Sequence, residues 1–532
     1  MLMNLSVKYI KRFFSVQTVF LTSFMLVLTL VNSGLVKNYA YASSEQGLVL
    51  KSLTDNYNVR LDPETTKAVI SFLKENPGHS LWLQNRKAEK ISYKSVTAIN
   101  ILQDSWTHGL NPGRYNIEQI RSIAYTYNPE KAQLFETLLT LSFTKFLQDL
   151  SGFTLQNADA HMINPEYWQP PLDAQNILDM LNTTDDLQKL ISRIQPGSGL
   201  YKAMRIKLTD LVQKLEANRY SYSRNTLAYN GDNSVPGAYG KNVDKSGDSS
   251  AIEEQIRQLI VNLERARWIK RERPERYIVV NTAASRLWGI DKDGVRLDMP
   301  VVVGQPDRKT ISFNSTITGV RINPTWTVPK SVKKYDFLPV LQSNPSALTT
   351  KNIELYEAGA MRSLDPEAVD WNALKPENMH RFTMVQRSGQ GNPLGRIRFL
   401  MPNKYNIFIH DTNKPDLFNY AYRAYSSGCI RASRIDDLAH FVMEGTDGWS
   451  EDRLREIIES GRTRDVPARD TLDVFIMYMT IWFDNQGSLV FAKDVYDKDN
   501  ELFSYMHKQG RTPHFISGKL EEASLNLPLT SR

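Results

Sequence analysis

The residues of this 532-residue chain best suited to covalent chemistry are its single cysteine, Cys429, and a histidine nineteen positions earlier, His410. A thiolate is a strong nucleophile, and an imidazole within reach can take the thiol proton. Cys429 ends the run Ser426-Ser427-Gly428-Cys429. Gly428 lets the backbone approach a reacting group closely, and the amides of Gly428 and Cys429 together offer an oxyanion hole. Arg423 and Arg431 are near enough in sequence to add positive potential. The second ring nitrogen of His410 needs an acceptor to set the tautomer. No carboxylate is obvious for this, and a backbone carbonyl such as that of Asp411 would serve. The competing reading is a buried, inert thiol, because free cysteine packs as a small hydrophobe.

These residues need elements to hold them. Asn406-Ile407-Phe408-Ile409-His410 reads as a strand, so His410 shares a face with Phe408 and opposes Ile409. Beyond the thiol, Ser433 and Asp436 are expected to cap a helix carrying Leu438, Ala439, Phe441 and Val442. Cys429 is therefore expected in a tight turn between a strand and a helix N-terminus. Further short strands are expected at 277–280, 299–303 and 396–400. Residues 330–380 are richer in Pro, Asn and helix formers and read as a lobe inserted between strands. Histidine before cysteine at short range argues against papain-type enzymes, in which the cysteine comes long before the histidine.

The first half of the chain has a different texture. Residues 62–215 read as helical: Asp62-Pro63 is a helix start, and Phe135, Leu138, Leu139, Phe143, Phe146, Leu147 and Leu150 recur at helical spacing. His108-Gly109-Leu110-Asn111-Pro112 reads as a helix stop. Residues 221–250 are dominated by Ser, Gly and Asn and read as a flexible linker. A helix is expected to resume at a Ser250/Glu253 capping box, with Ile252, Ile256, Leu259, Ile260 and Leu263 on one face. The tail is assigned to 501–532.

Composition sets the frame. The chain is 41% hydrophobic and 23% charged, with a net charge of +7, ordinary for a globular protein. No Lys/Arg block or nucleic-acid motif is present, so nucleic acid is not an expected partner. The mild positive charge is a solvated surface or a weak attraction to an anionic polymer or membrane. Lys8, Lys11 and Arg12, then the apolar stretch Val19 to Val31, then Ala40-Tyr41-Ala42, form a secretory signal over 1–42. The alternative is an uncleaved membrane anchor. Either way the chain is expected to work outside the cytoplasm, in the periplasm or held at the inner membrane. One cysteine excludes an internal disulfide framework.

The run Ser426-Ser427-Gly428-Cys429-Ile430-Arg431 behind a strand-borne histidine resembles the signature of the L,D-transpeptidase family. His410-Asp411-Thr412, Leu417-Phe418, Arg423-Ala424, Leu394-Gly395-Arg396 and the segment from Asn323 to Pro329 resemble its large Gram-negative form. So does Asn262-Leu263-Glu264-Arg265 with Arg267-Trp268. The resemblance implies an α+β protein: a helical scaffold domain over 43–220 and a mainly β catalytic domain over 251–500 with a capping lobe near 330–380. It implies that Cys429 is acylated by the tetrapeptide stem of peptidoglycan with loss of D-alanine, that His410 is the base, and that an amine on a neighbouring stem resolves the thioester as a 3-3 cross-link. It further implies carbapenem sensitivity and no metal or organic cofactor. Gly428 and Asp411 are then assigned to oxyanion binding and orientation. Trp326, Phe408, Ser426, Ser427, Arg423 and Arg431 are assigned to the substrate, with Trp326 equally suited to a core. The same thioester also yields to water, a free D-amino acid or a protein lysine, and a non-enzymatic wall-binding scaffold is the remote alternative. Three departures stand out. The interval 221–250 replaces a peptidoglycan-binding module, Ser427 stands where many members have His, and Phe408 stands where Tyr is frequent.

Overall fold

The computed structural model describes residues 45–84, 87–152, 155, 168–229 and 245–513. Residues 1–42, expected as a signal or anchor, lie outside them. Among the described residues, no helix is long and apolar enough to cross a membrane.

The N-terminal half is helical. It begins with α1 (Glu45–Tyr57) and α2 (Pro63–Glu75), which Asp62 caps by accepting the Thr65 amide. Then follow α3 (Tyr93–Gln103), α4 (Ile117–Tyr125), α5 (Ala132–Ser151), α6 (Ala174–Asn182), α7 (Leu187–Ile194), α8 (Gly199–Tyr229) and α9 (Lys245–Trp268). The turn Asp104–His108 stops at Gly109, which takes φ 72°, the left-handed conformation glycine allows. Helix α5 is the centre. Its stripe of Phe135, Leu138, Leu139, Phe143, Phe146, Leu147 and Leu150 is buried throughout, and the surrounding helices lay their apolar faces on it.

Half of the expected linker is helix. Residues 221–229 belong to α8 and 245–250 to α9, leaving 230–244 outside the described residues. Ser250 therefore lies inside α9 and caps nothing. Polar composition reports solvent exposure, not backbone conformation, and a helix already nucleated by its buried part extends at little cost. Ile256, Leu259, Ile260 and Leu263 of α9 join the helical core, so this helix belongs by packing to the first half.

The second half is a curled sheet. Its strands are β1 (Tyr277–Asn281), β2 (Arg286–Asp291), β3 (Gly294–Gly304), β4 (Phe313–Ile322), β9 (Ile397–Leu400), β10 (Ile409–His410), β11 (Ala424–Ser426), β12 (Ile430–Ala432) and β13 (Arg464–Met477). They run in the order β11-β3-β12-β10-β9-β4-β13-β1-β2, and β3 also pairs with β2, so the sheet returns on itself. Ile278, Val301, Ile317, Phe399, Ile409 and Ile430 fill the inside, where α10 (Ile435–Met443) also packs. Between β4 and β9 lies a smaller sheet of β5 (Trp326–Thr327), β6 (Ile353–Glu357), β7 (Ser363–Leu364) and β8 (Phe382–Gln386). It has its own core around Leu341, Trp371 and Met384. In the chain α11 (Glu451–Glu459) precedes β13, a hairpin of β14 (Ile481–Phe483) and β15 (Leu489–Phe491) follows β13, and α12 (Lys498–Lys508) comes after the hairpin. The tail assigned to 501–532 thus begins as helix: Leu502 and Met506 of α12 are buried in the helical core, because their spacing gives the C-terminal segment an apolar face to dock.

Helix α9 ties the two halves by polar groups as well. Arg267 is fully buried, donates to the His108 carbonyl at 2.8 Å and pairs with Glu264, which also accepts from the Trp268 indole at 2.9 Å. On the opposite side Asn262 exchanges hydrogen bonds with Thr480 at 2.7 and 2.9 Å, and Arg265 pairs with Asp499. Removing one member of a buried pair strands the other charge, at about 3–5 kcal/mol. Arg267→Met should lower the unfolding midpoint sharply, read by thermal denaturation. A change within the range of ordinary surface substitutions would show that Glu264 does not depend on this partner.

Candidate active site

Cys429 is held between two short strands. β12 runs parallel to β10 with Ile409 opposite Ile430 and His410 opposite Arg431, and the Ile430 amide donates to the Phe408 carbonyl at 2.9 Å. Side chains alternate along a strand. Ile409 and Ile430 therefore point into the core, while His410 and Arg431, paired across the two strands, take the opposite face; Phe408 and Cys429 each directly precede their strand. The sequence placed a helix N-terminus directly after the thiol. The structure interposes β12, and α10 begins only at Ile435 with no side-chain cap from Ser433 or Asp436. Asp436 pairs with Arg396 at 3.0 Å instead. The helix terminus therefore is not what polarises Cys429.

His410 is buried, and its Nδ1 lies 2.5 Å from the Asp411 carbonyl. A carbonyl only accepts, so Nδ1 carries the proton and Nε2 is left to act as a base. The Asp411 carboxylate does a different job. It accepts the Arg396 amide at 2.8 Å and lies against Gly395. A Cβ on Gly395 would come within 2.4 Å of that carboxyl, and φ there is +61°. The Leu394-Gly395-Arg396 run thus needs glycine to let Asp411 sit where it orients His410.

Burial governs the electrostatics of both groups. Burial, aided by Arg431 and Arg398, pushes His410 down to about 3. Burial raises the Cys429 thiol above its usual value, against the opposing pull of the Phe408 amide, Arg431 and Arg398. Burial thus favours a neutral thiol and a neutral imidazole over a preformed thiolate, because removing the charged forms from water costs more than the nearby cations return. In this state the thiol contacts the Asn406 carbonyl at 3.8 Å.

The other expected residues divide. Ser426 is buried, donates to the Cys429 carbonyl at 2.5 Å and accepts the Gly428 amide at 3.2 Å. It therefore builds the turn. The Gly428 amide is consumed by this bond, which leaves the Cys429 amide as the turn's oxyanion donor. Gly428 has φ 111°, a conformation other residues rarely adopt. Ser427 is exposed and accepts from Arg308 at 3.1 Å. Arg308 in turn makes a two-pronged pair with Asp336 of the inserted lobe at 2.6 and 2.7 Å, so the lobe is fastened to the nucleophile's turn. Phe408 lies beside the thiol in register, with the Arg398 guanidinium 4.7 Å from its ring centre. Arg431 shares the face of His410. Arg423 does not serve it: its guanidinium is taken up by the carbonyls of Tyr420, Ser285 and Val301 at 2.7, 3.1 and 3.3 Å. Trp326 lies against the lobe core, 6.3 Å from the Phe337 ring.

Arg398, Thr310 and Tyr496 escaped the sequence reading. Thr310 donates its hydroxyl to the Gly428 carbonyl at 2.8 Å, and Tyr496 accepts the Thr310 amide at 3.4 Å while donating to Gly304 at 2.5 Å. They lie far from the motif in sequence, so no local signal marks them. Arg398 had a signal, since it alternates with buried Ile397 and Phe399, but its partner strand was not readable. Among the described residues, no cluster of three or more His, Cys, Asp or Glu could hold a metal.

An orienting carbonyl, a neutral base, a lone thiol and a backbone amide form a site suited to acyl transfer through a thioester. The comparisons agree on the class. Residues 275–455 match the family model of the L,D-transpeptidase catalytic domain (YkuD), and residues 49–208 match that of the Scaffold domain. The chain carries an L,D-transpeptidase catalytic domain preceded by a Scaffold domain. It is similar to a Haemophilus influenzae protein named "Putative L,D-transpeptidase", 31% identical over 225 residues, which are 42% of this chain and 45% of that relative. The match therefore spans under half of the relative's length. A solved structure of an Ldtfm-avibactam carbamoyl enzyme aligns at 12% identity and TM-score 0.17, over 38% of this chain and 49% of the other, too low to bear on the fold.

Two outcomes follow from the geometry. With the folded-state value of His410 near 3, the base stays neutral across the range in which a free imidazole, near 6.5, is protonated. The rate of thiol acylation should therefore hold from neutral pH down to about pH 4 and fall only as the pH nears 3; an acid limb centred near 6.5 would contradict this. Gly395→Ala should slow acylation by displacing Asp411 and freeing the imidazole to turn. A wild-type rate in that variant, measured by intact-mass labelling, would show that the Asp411 contact does not matter.

Proposed function

We propose that this protein is a peptidoglycan L,D-transpeptidase acting outside the cytoplasm. The observation that supports the reading is the parallel pairing of β10, which ends on His410, with β12, which begins one residue after Cys429, while the Asp411 carbonyl holds Nδ1. In the proposed reaction Cys429 Sγ attacks the carbonyl between the third residue and the terminal D-alanine of a tetrapeptide stem. His410 Nε2 takes the thiol proton as the bond forms, and the Cys429 amide supports the developing oxyanion. His410 then gives that proton to the departing amine, so D-alanine leaves and a thioester remains. An amine on a neighbouring stem attacks the thioester, His410 accepts its proton, the thiol is regenerated and a 3-3 cross-link results. The inserted lobe, fastened through Arg308 and Asp336, covers the acyl-enzyme and disfavours water as the acceptor.

Purified protein incubated with disaccharide-tetrapeptide should release D-alanine and form a dimer, both visible by mass spectrometry, and Cys429→Ala should abolish both. Release without dimer would assign an L,D-carboxypeptidase instead, and dimer formation by Cys429→Ala would remove the nucleophile. Meropenem, a strained amide, should give a stable adduct of one drug per chain that disappears in Cys429→Ala.

A further inference from the structure

The face that carries His410 also carries more positive charge than its own partners neutralise. Pairing across the sheet sets Arg431 opposite His410 on one side and Arg398 opposite His410 on the other. Paired residues point the same way, so the imidazole is flanked by two guanidiniums in one row. Neither arginine makes an ion pair or hydrogen bond among the described residues, and each has a buried Nε without an acceptor; Asp465, already paired with Arg321, is near enough to act on Arg398 without bonding it. The other guanidiniums of this neighbourhood are occupied: Arg321 by Asp465 with two bonds of 2.6 Å, Arg396 by Asp436, Arg423 by carbonyls. Arg398 instead lies over the Phe408 ring, 4.7 Å from its centre. Unpaired, half-buried cations are costly to keep, and a planar guanidinium suits a carboxylate.

We propose that Arg398, with Arg431, binds the C-terminal carboxylate of the acyl-donor peptide, the carboxylate on the residue that leaves. This deepens the function proposed above and rests on it. The leaving amine must face His410, because that ring returns the proton to it. The carboxyl carbon of a terminal residue lies about one residue length, roughly 3.8 Å, from the scissile carbonyl. A donor placed with its amine at His410 therefore extends its terminal carboxylate into the row formed by Arg398, His410 and Arg431. The site then selects stems that end one residue beyond the scissile bond, since a longer stem puts a neutral peptide group where the carboxylate belongs.

Binding tests this apart from turnover. Full-length Cys429→Ala protein is titrated calorimetrically with disaccharide-tetrapeptide, with its terminal carboxamide, and with the analogue amidated on the third residue's side chain. The parent chain should bind the terminal carboxylate about 10–100-fold more tightly than the carboxamide, the usual worth of a charged hydrogen bond. Adding Arg398→Gln should reduce that preference to within a few-fold while leaving carboxamide binding nearly unchanged, and Arg398→Lys should restore part of it. Equal binding of carboxylate and carboxamide by the parent, or an undiminished preference in Arg398→Gln, overturns the proposal. So does a preference that follows the third residue's carboxyl instead. Absence of D-alanine release by the unmutated protein would instead count against the proposed function.

Discussion

The register of two very short strands is the constraint on which the site depends. β10 and β12 are only two and three residues long, yet Ile409 and Ile430 are fully buried between them. A slip of one residue would send those isoleucines to solvent and turn the thiol and the imidazole inward. The burial of two branched side chains thus enforces the arrangement of two reactive ones. Strands this short cannot hold a register alone. β3 on one side and β9 on the other supply the support, and Thr310 and Ser426 fasten the turn that joins β11 to β12.

Burial also decides the charge state. Water is scarce around His410, so the imidazolium is disfavoured, and Arg398 and Arg431 add repulsion to the desolvation. The same burial disfavours the thiolate. The cations that oppose a protonated histidine are the ones that favour negative charge at sulfur, on an oxyanion or on a bound carboxylate. These surroundings therefore favour added negative charge while disfavouring the charged forms of the thiol and the imidazole themselves.

The supporting architecture is layered by the same logic. Helix α9 presents apolar residues to the scaffold and polar ones to the sheet domain, so one element serves both interfaces. The inserted lobe keeps its own core, and its exposed Asp336 pairs with the partly buried Arg308, which in turn donates to Ser427 in the turn before Cys429. Surface pairs of this kind are weak.

Much was legible in the sequence because it is local. Cysteine and histidine identity, the glycine before the thiol and the helical stripe of α5 each lie within a few residues and obey fixed periods, whereas the strand expected over 406–410 shrinks to Ile409–His410 because Asn406 takes the left-handed conformation at φ 54°. The Asp411 carbonyl was readable for the same reason, being adjacent to the ring it orients. Tertiary structure decided what depends on partners distant in the chain. Polar residues at 221–229 and 245–250 are helical because buried turns beyond them had already nucleated the helices. Arg423 lies six residues from the thiol but is spent on carbonyls of Ser285 and Val301, whereas Arg398, thirty-one residues away, reaches the site through strand pairing. Sequence distance says little about which cation meets a thiol, because hydrogen-bonded strands bring together residues that no local pattern relates.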